Sequence, residues 1–221
     1  MATQFSIRAA DTHDFNQVHR ALAADTASRC GVLFATDTFE RYGGAFKPGV
    51  AMRLGADATL VLCEPNAGGR SEVSEALSME YMHWQFGATD VVTEMQIQYW
   101  SSNWKKVDYL CSIRGTRVAV SVTRAMLFKQ EMAFGRQEAT ALLRKKLHGL
   151  VVAKVGVCRR HSYDKSVLHI WCQTFAIATA IAACYESVAS ELGITINVIL
   201  IATVAATEPS IFINDTRAVM I

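Results

Sequence analysis

Residues 106–123 read KVDYLCSIRGTRVAVSVT, and their alternation decides the fold. Val107, Tyr109, Cys111 and Ile113 fall on one side of an extended chain, and Lys106, Asp108, Ser112 and Arg114 on the other. Val118, Val120 and Val122 then alternate with Arg117, Ala119, Ser121 and Thr123. Gly115-Thr116 predicts a two-residue hairpin turn between the two runs. That register sets Arg114 opposite Arg117, Ser112 opposite Ala119, Leu110 opposite Ser121 and Asp108 opposite Thr123. Asp108, Ser121 and Thr123 then share a polar face, joined by Glu94 from a strand predicted over 89–99. A slip of one residue would reverse every one of these sides.

Outward from the hairpin the pattern stays regular. Ser71 predicts a helix start, Gly87 ends it, and Val73, Leu77, Tyr81 and Trp84 form its apolar face. Glu80 lies on or beside that face, where a carboxylate is rarely buried unless paired. Downstream, 136–153 predicts a helix with Leu143, Leu147 and Leu150 on one stripe and the basic cluster Arg144, Lys145 and Lys146 along it. A strand over 166–172, an Ala-rich helix over 175–192 and an apolar strand over 195–204 follow. Upstream, 3–9 predicts a strand, Asp11 or Thr12 caps a helix, and 30–36 and 58–63 read as strands. Pro65-Asn66-Ala67-Gly68-Gly69 is the strongest punctuation in the chain. It divides an N-terminal α/β extension, 1–70, from a core domain, 71–221.

The 221 residues are 51% apolar and 19% charged, enough for a sizeable core without disulfides or a structural metal. The six cysteines include no C-x-x-C pair, and the six histidines form neither H-x-H nor H-E-x-x-H. Apolar runs are too short to span a bilayer, and the opening MATQFSIRAADTHDF lacks a basic start followed by an apolar run, which predicts an intracellular, cytoplasmic or nuclear protein without a membrane segment. The net charge of +2 hides an asymmetry: residues 105–165 carry 14 Lys/Arg against 4 Asp/Glu, while both flanks are acidic. A localised positive field of this kind suits a polyanion.

The order from residue 71 onward, α-β-β-β-α-β, resembles the core of the PD-(D/E)xK nucleases, the restriction-endonuclease-like superfamily, over roughly residues 71–204. The fold class this implies is α/β, with a mixed central sheet and the N-terminal extension added. In that family the first helix carries a Glu, which Glu80 (or Glu75) matches, and the second strand carries a metal-binding Asp, which Asp108 matches. The third strand departs from the pattern, because the E-x-K slot falls on Ser121-Val122-Thr123. A lysine moved onto the next helix, Lys145 or Lys146, is the substitute, since Arg124 alternates away from Asp108. The resemblance therefore implies Asp108, Glu80 and Lys146 as catalytic residues, and Asp108, Glu80 and Glu94 as ligands for Mg²⁺ or Mn²⁺. Such an ion, held by hard oxygen ligands, polarises the phosphoryl group.

Nucleic acid is the expected partner, met by Lys105, Lys106, Arg124, Arg144, Lys145 and Trp104. The turn from Trp100 to Lys106 interleaves aromatic and basic residues, which suits unpaired bases and phosphates. The function implied is nucleic-acid binding with metal-dependent phosphodiester cleavage at an impaired or repurposed site. The alternative is a non-catalytic structural or partner-binding protein on the same fold, as a homo-oligomer or with another protein. The opening SIRAADTHDF also resembles the start of an acetyltransferase, but no Gly-rich pyrophosphate loop follows, which excludes that reading.

Overall fold

The computed structural model describes residues 4–25, 28–41, 51–64, 70–126 and 134–220. It is a mixed α/β fold with a central sheet and helices on both faces. Strands β1 (Phe5–Ala9), β2 (Val32–Arg41), β4 (Thr89–Thr93), β5 (Tyr109–Ile113), β6 (Thr116–Ala125), β7 (Lys165–Cys172) and β8 (Val198–Val204) form one seven-stranded sheet. Its order is β1-β2-β8-β7-β6-β5-β4. Strands β2, β8, β7 and β6 run parallel, and β1 and β5 run against their neighbours. A second, two-stranded sheet pairs β3 (Met52–Arg53) with β9 (Val219–Met220). Residues before 70 thus supply two strands to the main sheet, and the expected seam at 65–69 lies outside the described residues.

Strands β7 and β8 are buried along their whole length, as parallel strands covered on both faces must be. On one face lie α1 (Thr12–Ala23), α2 (Ala56–Cys63) and α3 (Glu72–Phe86), packed over Tyr109, Val120, Trp171 and Ile201. On the other lie α4 (Arg136–Gly156), α5 (Phe175–Ala182) and α6 (Tyr185–Glu191), packed over Leu110, Leu168, Ile170 and Leu200. Leu143, Leu147 and Leu150 form the buried stripe of α4, each contributing about 1.5–3 kcal/mol. Helix α3 is packed deeply, with every residue from Val73 to Met82 buried. Gly87 ends it in the left-handed conformation, φ 68°. A last short helix, α7 (Ser210–Ile213), leads to Asn214, whose side chain accepts from the Val73 amide and so caps α3 where Ser71 was expected to. No described helix is long and apolar enough to cross a membrane.

Four expectations change. Residues 58–63 are helical, within α2; six apolar residues in a row carry no periodicity to separate strand from helix. The strand over 89–99 stops at Thr93, whose carbonyl accepts from the amides of Gln96 and Ile97 and turns the chain. The helix over 175–192 breaks into α5 and α6. The hairpin register moves by two: Ser112 pairs with Arg117, and Ile113 with Thr116, around a turn at Arg114-Gly115. Both turn residues take positive φ, 50° and 80°, the conformation that matches the twist of two-residue hairpins. A shift of two preserves the faces, so Asp108 comes opposite Ser121 rather than Thr123, still on the same side.

Candidate functional site

The carboxyl ends of β4 and β6 and the start of β5 meet at one edge of the sheet, beside the N-terminus of α3. Ligand sites of open α/β sheets favour this edge. Asp108 sits one residue before β5, where β6 runs on without a ladder partner on its β5 side. Its carboxylate takes that partner's place: Oδ2 accepts from the Val122 amide and, at 3.0 Å, from the Ser121 hydroxyl. The Val122 carbonyl accepts from Lys146 Nζ at 3.1 Å. Lys146 is half-buried on α4. Burial holds its ammonium below the ordinary lysine range, the Asp108 charge pulls it back up, and Lys105 and Lys145 push it down. The expected lysine on the next helix therefore reaches β6 at Val122, the residue whose amide donates to Asp108.

Around Asp108 lies a small cleft lined by Val61 of α2 and Glu64 just after it, Glu72 and Glu75 of α3, and Thr93 and Glu94 at the end of β4. Glu75 is pushed up to about 7, first by burial, then by the charge of Asp108, with Glu94 and Glu72 adding to it.

Of the two acids on α3, Glu75 lines the cleft and Glu80 does not. Glu80 is held on another side of α3, accepting from the Gly55 amide at 2.8 Å and from the Trp84 indole at 2.7 Å, so it pins α2 to α3. Asp108 and Glu94 line one cleft and Lys146 meets the Val122 carbonyl beside Asp108, while the Glu80 of the expected catalytic and metal sets does not join them. Among the described residues, no group of three or more His, Cys, Asp or Glu side chains is arranged to hold a metal ion. With Glu80 elsewhere and Asp108 Oδ2 already taken, these residues do not fit the expected Mg²⁺ or Mn²⁺.

The expected nucleic-acid residues divide. Lys105 and Lys145 are exposed, and Lys106 is half-buried. The Lys105 side chain lies along Gly149 of α4. Arg124 is used internally, donating to the carbonyls of Ile211, Phe212 and Arg70. Arg144 is committed to Glu191 of α6 through two bonds of 2.8 and 2.7 Å. Trp104 donates its indole N–H to the Val152 carbonyl at 2.7 Å and packs on Gly156, so it braces α4 instead of standing free.

One constellation was not anticipated. His169 of β7 bonds through Nδ1 to the Ser78 hydroxyl, 2.8 Å, and through Nε2 to the Thr203 hydroxyl, 3.0 Å. Ser78 also meets the Tyr109 hydroxyl, and Tyr81 donates to Asp37 at 2.6 Å. All six residues are buried. Burial pushes His169 down to about 3 and Asp37 up to about 6. A histidine within SVLHIWC and an aspartate within FATDTF are the signal, since polar residues in strands that read as apolar need partners.

No family model matches the chain, and no solved structure matches it. A Dictyostelium discoideum protein, the AAC-rich mRNA clone AAC4 protein, is 32% identical over 138 residues. The match covers 60% of this chain and 20% of that protein.

Proposed function

We propose that this chain binds nucleic acid on a restriction-endonuclease-like core whose phosphodiester-cleaving site is impaired. The observation that carries the reading is the meeting of Asp108 and Lys146 at Val122, with Lys105 and Lys145 beside them. The order α3-β4-β5-β6-α4-β7, with β4 to β7 adjacent in the sheet and β5 alone reversed, supports the fold. Chemically, exposed Lys105 and Lys145 attract phosphate oxygens, while the carboxylates of the cleft repel them. Protonation of Glu75 lessens that repulsion. Lys146, held on a backbone carbonyl, balances the Asp108 charge. Ser121 and Thr123 supply neither the carboxylate nor the ammonium that cleavage needs.

The test combines binding and cleavage with purified protein and labelled oligonucleotides. Binding is expected, weakened in Lys105→Ala/Lys145→Ala and retained in Asp108→Asn, with no cleavage in Mg²⁺ or Mn²⁺. Absence of binding overturns the reading. Divalent-dependent cleavage lost in Asp108→Asn overturns the impaired site.

One feature favours a second reading, a partner-binding role. An apolar groove is lined by Val151, Val155, Leu192 and Ile196, with Val155 71% exposed.

A further inference from the structure

Trp100 is the most exposed of the large apolar side chains among the described residues, at 77%, yet its backbone is firmly seated. Its amide donates to the Gly156 carbonyl at 3.0 Å, Tyr99 bridges to Val157, and the Cys158 amide donates to Gln98 at 2.9 Å. Residues 98–100 thus lie antiparallel to 156–158, the end of α4 and the segment after it. A rigid seat that presents an indole to solvent differs from a mobile loop that happens to carry one.

The surroundings of Trp100 are basic in both directions. Beyond Cys158 come Arg159 and Arg160, both exposed. Arg117, at the start of β6, donates to the Arg160 carbonyl at 2.6 Å, which holds its guanidinium in the same patch. His161 accepts from the Gln98 amide, joining the patch to the Trp100 segment. Its imidazole is held below the ordinary range by burial and then by the charges of Arg117 and Arg160. Among the described residues, none of Arg117, Arg159 and Arg160 pairs with a carboxylate. In the other direction Trp104 covers Gly156, and Lys105 lies on Gly149, about 10 Å back along α4 toward the cleft.

We infer that the stripe from Lys105 across Trp100 to Arg117, Arg159 and Arg160 is a track for single-stranded nucleic acid. This rests on the nucleic-acid reading above and names its substrate class. Trp100 stacks on the face of one unpaired base, and the cations at either end hold the flanking phosphates. Base faces are hidden inside a duplex, whereas a single strand offers them, and stacking on an aromatic ring tolerates any base. Arginine suits the phosphate end, because its planar fork bonds phosphate oxygens in pairs.

The experiment titrates the full chain with a homopolymeric single strand and with a duplex of equal length, reading affinity and tryptophan emission. Trp100→Ala should weaken the single strand by about 5- to 150-fold, the range of one stacked base, and leave duplex binding unchanged. Trp100→Phe should recover much of the loss, and stacking should quench wild-type emission but not that of Trp100→Ala. Unchanged thermal midpoints confirm that these surface variants fold. Equal loss on both substrates, or none on either, overturns the track. Preference for an acidic polypeptide over the single strand overturns it as well. If Lys105→Ala/Lys145→Ala weakens binding while Trp100→Ala does not, the track fails and the nucleic-acid reading stands. If wild type binds neither substrate, both fail.

Discussion

Helix α3 serves two regions that treat charge in opposite ways. Its middle turns send Ser78 and Tyr81 into a sealed polar chain with His169, Thr203 and Asp37, where partners lie inside the protein. Its first turns send Glu72 and Glu75 to the open cleft at Asp108. In the sealed region burial decides the protonation, keeping His169 neutral and raising Asp37 to about 6. In the cleft, neighbouring charges join burial in setting Glu75 and Lys146. The first arrangement spends its hydrogen bonds on the fold. The second leaves Glu72, Glu94 and Asp108 only half-buried around the cleft.

The largest effect expected from breaking this contrast is His169→Ala. It removes a fully buried ring and strips bonds from the Ser78 and Thr203 hydroxyls, at a cost of about 3–5 kcal/mol. Urea unfolding measures it, and a loss below about 1 kcal/mol would deny the chain its structural role. Nucleic-acid affinity of the folded variant should not change.

The pH dependence of stability separates the two buried groups. Asp37 is raised from 3.8 to about 6 in the folded state, so the folded protein holds the extra proton and stability falls as pH rises through that window. His169 is lowered from 6.5 to about 3, so the unfolded chain holds the extra proton and stability rises with pH between those values. The two slopes oppose one another between about pH 4 and 6. Asp37→Asn should expose the histidine slope, changing stability across that window by about 2–3 kcal/mol relative to wild type. Parallel wild-type and variant curves would contradict the assignment.

A smaller effect belongs to the cleft. Glu75 is raised from 4.5 to about 7, so its folded-state proton is lost, and stability with it, across that range. Glu75→Gln should stabilise the protein above pH 7 and leave it unchanged below pH 4.5, read from thermal midpoints. Stabilisation that is the same at both pH values would mean that charge is not the cause.

Much of this was legible in the residues themselves. The buried stripe of α4 follows from Leu143, Leu147 and Leu150, and the end of α3 from Gly87. The shared face of Asp108 and Ser121 survived a two-residue error in the turn because strand faces repeat every two residues. The choice between Glu75 and Glu80 was not legible. Both stand on α3, and only the arrival of Gly55 at the start of α2 captures Glu80. Trp104 and Arg124 likewise looked free in the sequence, and distant carbonyls at Val152, Ile211 and Phe212 claim them. Hydrophobic alternation assigns faces, and it does not say which buried acceptor will meet a long side chain.

The most direct test of the central claim, that the lysines beside Asp108 meet a phosphate backbone, is the salt dependence of single-strand binding. The logarithm of the affinity should fall linearly with the logarithm of salt concentration, since each neutralised phosphate releases counterions. In Lys105→Ala/Lys145→Ala the slope should be shallower by about 1.4, two contacts at about 0.7 each for a single strand. A wild-type affinity that does not depend on salt, or an identical slope in the double variant, would contradict it.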